Sequence, residues 1–135
     1  MVRRVVAGVA GLGLIGGVGA VAYDDDGTAK VTITDKAGHK ETVTIAGGGK
    51  KFSCPNGTDA KLEPIDIEAG RVKITLRHVR QSMGTIEKRY PDHHAPHKVV
   101  VRYNRLVTRE GKLVDAYNTA IDKHNAVLTS DCDEA

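Results

Sequence analysis

Residues 97–130, HKVVVRYNRLVTREGKLVDAYNTAIDKHNAVLTS, decide the fold. Val100, Val107, Val114, Ile121 and Leu128 recur at every seventh position, with Val99, Leu106, Leu113, Ala120 and Val127 beside them. A doubled apolar stripe of this period predicts one long amphipathic helix. Upstream, Leu62, Ile65, Ala69, Val72, Leu76, Val79, Met83, Ile86 and Tyr90 alternate spacings of three and four, a heptad seam with no polar residue in it. Helix is expected from Leu76 to Tyr90, where Pro91 stops it. The beginning of that seam also fits a small hairpin over 65–76, because IDI and VKITL alternate with period two and Gly70 disfavours helix by about 1 kcal/mol relative to Ala. Between the two stripes PDHHAP reads as a turn, and Pro96 suits the first position of a helix.

Two heptad helices joined by a short turn lie antiparallel, so the start of the first meets the end of the second. Cys54 precedes the first and Cys132 ends the second. A disulfide between them would clasp the open end, and closing so long a loop stabilises by about 4.5 kcal/mol on the chain-entropy model. In an oxidising compartment an isolated cysteine pair most often forms one such bridge.

Working outward, KVTIT and ETVTI flank DKAGHK as a β-hairpin turning near Ala37 and Gly38, with Val31, Ile33, Val43 and Ile45 on one face. Two strands alone are marginal in water. A third strand is therefore expected around residues 51–53, or a surface for the pair to lie on. Residues 46–49, AGGG, read as a flexible link.

The N-terminus opens with two arginines, continues through 18 uncharged apolar or glycine residues (5–22), and meets Asp24, Asp25 and Asp26. Basic, then apolar, then acidic is the charge order of a segment inserted with its N-terminus in the cytoplasm. As a helix it reaches about 27 Å, near the thickness of a bilayer core. A signal peptide cleaved at the Ala20-Val21-Ala22 site is the competing reading. Either one exports residues 23–135. Inside this segment residues 11–17, GLGLIGG, resemble the phosphate-binding loop of prephenate-dehydrogenase-like NAD enzymes. That resemblance implies a dinucleotide cofactor, but it covers seven residues, and the three aspartates leave less than two turns for the helix such a loop must open. No cofactor is expected.

The exported part holds no Trp and a single Phe, Phe52, which favours an elongated architecture over a large core. The expected class is α+β, mainly α, with four regions: 1–22 as anchor or signal, 23–46 as a β-hairpin, 47–53 as a Gly-rich linker, and 54–135 as the clasped helical hairpin. Charge is distributed unevenly along that hairpin. Residues 71–112 carry eleven Lys and Arg against three Asp and Glu, whereas 54–70 and 113–135 together carry two against nine. Helix-dipole compensation accounts for the first helix, acidic at its start and basic at its end; it fails for the second, where the order is reversed.

These features lead to a non-catalytic extracytoplasmic module whose basic tip, Arg77, Arg80, Lys88, Arg89, Lys98, Arg102 and Arg105, held away from the membrane by a stiff stalk, meets an anionic partner: an acidic protein surface, a wall polymer or lipid headgroups. Head-to-tail self-association is a second use of the same polarity. Nucleic acid is not expected, since stacking aromatics are few. The alternative from another class is a metal-binding loop using His93, His94 and His97, to be weighed against a solvated His-rich turn. Tyr103-Asn104, Tyr117-Asn118 and His124-Asn125 repeat along one line, as rings at the rim of the core with amides bonding across to the first helix. Ser53, Ser82 and Ser130 sit in no nucleophile elbow, and the carboxylates of the clasp half read as solvated, so no hydrolytic set emerges.

Overall fold

Residues 58–89 form one helix, α1 (Thr58–Arg89), and residues 97–131 a second, α2 (His97–Asp131). The computed structural model describes residues 13–24, 28–45, 52–92 and 94–134. Ahead of the helices lie β1 (Val18–Tyr23), β2 (Ala29–Thr34), β3 (Lys40–Ile45) and the two-residue β4 (Phe52–Ser53), and behind them β5 (Asp133–Glu134). The architecture is α+β and mainly α.

The 65–76 hairpin alternative is ruled out, and the reason lies in the sheet. Gly70 passes so close to β2 that a Cβ there would stand 2.4 Å from a Val31 methyl. The glycine that weakens the helix locally lets it press flat against the strands. Of the predicted seam, Leu62, Ala69, Val72, Leu76 and Val79 are buried.

Strands β1, β2 and β3 form an antiparallel meander in that order. The predicted hairpin appears in register, Val31 opposite Val43 and Ala29 opposite Ile45, with its turn closed by Asp35, whose carboxylate accepts from the Ala37 and His39 N–H groups. The third strand is not 51–53. It is β1, drawn from the C-terminal end of the segment expected to enter the membrane, with Val21 opposite Val31. The helix expected across 5–22 is thus replaced by irregular chain at 13–17 and by strand at 18–22, while residues 5–12 lie outside the described residues. The physical reason is that the edge of β2 needs a partner, and the alternation VGAVAY turns Gly19, Val21 and Tyr23 toward the core while Val18, Ala20 and Ala22 stay exposed. No helix among the described residues is long and apolar enough to cross a membrane.

Residues 52–53, placed in the linker by sequence, pair as β4 with β5, Ser53 opposite Asp133. Beside this ladder Cys54 and Cys132 are bonded with Cα atoms 4.3 Å apart, as the antiparallel geometry requires.

Val31, Ile33, Val43 and Ile45 fill one core with Ala69, Ile74 and Ala120. Val72, Leu76, Val79 and Leu113 make a second, onto which Leu14 and Met83 pack. Each such aliphatic side chain contributes about 1.5–3 kcal/mol on burial. Between Val79 and Leu113 no described residue is buried. The last ten residues of α1 and the facing part of α2 therefore project past the sheet as a two-helix arm about 15 Å long. Val100 and Val107 are exposed on it.

Candidate functional site

Two features occupy the hairpin: a buried polar node in the clasp half and a cationic face on the arm. The node centres on Asp66. Its Oδ2 accepts from the Tyr23 hydroxyl at 2.7 Å, and its Oδ1 faces His124 Nδ1 at 2.6 Å. Asp66 and His124 are 0 % and 1 % exposed. Burial, and then the bond to Asp66, pushes the Tyr23 hydroxyl far above its ordinary range, so it stays a donor. One carboxylate therefore links β1, α1 and α2. Within this Tyr–Asp–His set Asp66 and His124 are enclosed, while Tyr23 is half-buried. The rim position expected of His124 is replaced by full burial, and of the clasp carboxylates expected in solvent Asp66 and Glu68 are buried whereas Asp59, Glu63, Asp115, Asp122 and Asp133 are exposed. Asp66 lies one turn from Leu62 and from Ala69, and His124 sits between Ala120 and Leu128, so the helical register held a signal that polarity masked.

Glu68 is a second buried carboxylate, and its Oε1 has no hydrogen-bond partner. Burial raises its pKa and the nearby Lys123 opposes the rise.

Before β1, residues 13–17 run as a strap over both helices. Arg71 Nη2 donates to the Gly17 carbonyl at 2.6 Å, the Ile15 N–H donates to Thr75 Oγ1 at 3.1 Å, and Arg109 Nη2 donates to the Gly13 carbonyl at 2.8 Å. Gly17 is required by its surroundings: its φ is +115°, and a Cβ would stand 2.2 Å from the Thr34 carbonyl oxygen. Of the glycines that imitate a nucleotide loop, Gly17 thus serves close backbone packing, whereas a Cβ at Gly16 would meet nothing.

On α2, Lys98, Arg102, Arg105, Arg109 and Lys112 are spaced four, three, four and three. That interval places all five on one side of the helix. All are exposed except Arg109, which is half-buried by the strap, and none is ion-paired among the described residues. Arg105, Arg109 and Lys112 line a shallow groove of about 650 Å³ together with Gly13, Val101 and Thr108.

The expected basic residues do not form one cluster. Arg77 and Arg80 line a separate groove with Lys73 over an apolar floor of Val43, Leu76 and Val114, and Arg80 is paired with Glu110 at 2.8 Å. Lys88 and Arg89 close α1, exposed, and line neither groove. Arg109 and Lys112, omitted from the expected set, belong to it by spacing.

Of the three histidines expected to bind metal, His93 lies outside the described residues, and His94 and His97 are exposed. Among the described residues no group of three or more His, Cys, Asp or Glu is placed to hold a metal ion. The Tyr/His–Asn line resolves into three separate ties to α1. The Tyr103 hydroxyl donates to Glu87, Lys73 Nζ lies 5.7 Å from the centre of the Tyr117 ring, and His124 meets Asp66. The rings, and not the amides, bridge the helices; Asn104, Asn118 and Asn125 are exposed.

No protein-family model, no curated protein and no solved structure matches this chain.

Proposed function

We propose that the protein is a non-catalytic binding module of the cell envelope that engages an anionic partner through the basic arm of its helical hairpin. The observation that carries this reading is the α2 stripe, five cations on one helix face, none of them ion-paired among the described residues. Helix stability gives no reason for it. The first turn of α2 contains Lys98 and no acid, where the dipole favours negative charge, and its last turn contains no base. A row of like charges also repels itself, and an anionic surface would relieve both costs. The envelope location is supported by the disulfide, which persists in oxidising compartments, and by the charge order of the N-terminal segment. The absence of catalysis is supported by the burial of the Asp66 node and by both cysteines being oxidised.

The test is titration of the full chain with soluble polyphosphate, followed by fluorescence anisotropy. Binding should fall steeply between low and physiological salt, because release of condensed counterions drives it. The triple variant Lys98→Glu, Arg102→Glu, Arg105→Glu should bind at least about a hundredfold more weakly, taking about 1 kcal/mol per cation. Salt-independent binding, or a triple variant that binds like the parent, would sink the proposal.

A further inference from the structure

The apolar stripe of α2 is wider than α1 covers. Val100 and Val107 are 40 % and 43 % exposed. Each follows a stripe cation, Lys98 or Arg105, by two residues, about 200° around the helix. The two valines therefore sit on the side of α2 away from the cations. With Asn104, Gly111, Val114 and Asn118 they recur at spacings of four and three, a second seam on the same rod. Val114 is half-buried and the other five are exposed. Three members of this seam do nothing for the chain's own fold. A Cβ at Gly111 would meet nothing within 4 Å, and alanine would serve the helix interior better. The amides of Asn104 and Asn118 are exposed and do not bridge to α1.

We infer that this seam is the interface of a homodimer in which the α2 helices of two copies cross antiparallel at Gly111. Each feature then acquires a role. The missing side chain at Gly111 lets the two helix backbones approach closely. Counting outward from it, Val107 meets Val114 of the second copy, and Asn104 meets Asn118, where each amide can both donate to and accept from its counterpart. An Asn pair inside a helical seam fixes the register, since a slip would strand the amides against valine. Charge selects the orientation. Residues 97–112 carry five cations and one acid, and residues 113–131 one cation and three acids. Antiparallel copies set each basic half beside an acidic one with the helix dipoles opposed, whereas parallel copies would stack basic half on basic half. The assembly closes at two copies, because the same patch meets itself. This inference is independent of the anion-binding reading: the two use opposite sides of α2, and the dimer leaves both cation stripes facing outward.

Sedimentation equilibrium of the full chain tests this. The parent should be at least half dimeric at about 0.1 mM. Val107→Asp, an exposed position in the single chain, should weaken the dimer by about a hundredfold, because each dimer carries the change twice. Gly111→Ala should weaken it by at least about tenfold while raising the melting temperature of the monomer, a combination that a merely destabilising change does not give. Orientation is read by cross-linking: chains carrying Asn104→Cys and chains carrying Asn118→Cys should form a disulfide with each other when mixed, and neither should form one with itself. A parent that stays monomeric at that concentration overturns the inference. So does association that Val107→Asp and Gly111→Ala leave unchanged. Self-cross-linking of either cysteine variant overturns the antiparallel register.

Discussion

Asp66 joins three elements through one buried carboxylate, so its removal should be disproportionate to its size. Asp66→Ala leaves the Tyr23 hydroxyl and His124 buried without their acceptor and should cost about 3–5 kcal/mol in a urea titration. Tyr23→Phe removes a single hydrogen bond and should cost about 1 kcal/mol. Equal losses would mean that the node does not act as a unit. Glu68 gives a pH-dependent counterpart. Burial raises its pKa in the folded state above the unfolded value, so the folded chain holds that proton more tightly. The resulting contribution to stability is present below the ordinary carboxylate range and disappears as pH rises through the raised value. At neutral pH the ionised Glu68 is a net cost. Glu68→Gln should therefore melt at a higher temperature than the parent near pH 7, and the gap should close on titration to about pH 4 or below. A gap that widens in acid would contradict the assignment. Neither residue's role was legible from polarity, because an Asp or Glu in an amphipathic helix is normally solvated.

At the scale of elements, β1 is the strand that turns a marginal hairpin into a stable layer. Deleting residues 1–22 removes that strand up to Tyr23, uncovers the edge of β2 and releases the strap ties to Arg71, Thr75 and Arg109. The truncated chain should lose several kcal/mol, unfold with a lower midpoint and associate through the exposed edge, as size-exclusion chromatography would register. A truncated chain as stable and as monomeric as the parent would show β1 to be dispensable, and cleavage at Ala22 would then be compatible with the folded domain. The two helices and the β2–β3 hairpin were legible because their apolar periods are long and unbroken. The identity of β1 was not, since six glycines among 18 residues satisfy a membrane segment and a close-packed strand equally well.

Over the whole molecule, stability and charge are segregated together. The sheet, the Asp66 node and the Cys54–Cys132 bridge all lie in the clasp half, while the arm beyond Val79 holds only half-buried seam residues such as Met83, Ile86 and Leu106. Hydrogen exchange should reflect this. Amides of 83–89 and 99–106 should exchange through local opening, faster than those of 66–79 and 113–124 by at least about tenfold, whereas reduction of the disulfide should accelerate the clasp half most. Uniform protection along both helices would argue that the arm is as firmly held as the base. By itself the sequence determined the helical hairpin, its turn, its clasp and its charge polarity, because heptad spacing, proline placement and residue charge are local properties that survive any tertiary arrangement. Only the tertiary structure decided which segment completes the sheet, which carboxylates are buried and where the N-terminal chain leaves the fold. Each of those is settled by contacts between residues far apart in sequence, Gly17 with Thr34, Asp66 with His124, Gly13 with Arg109, whose energies no local pattern contains.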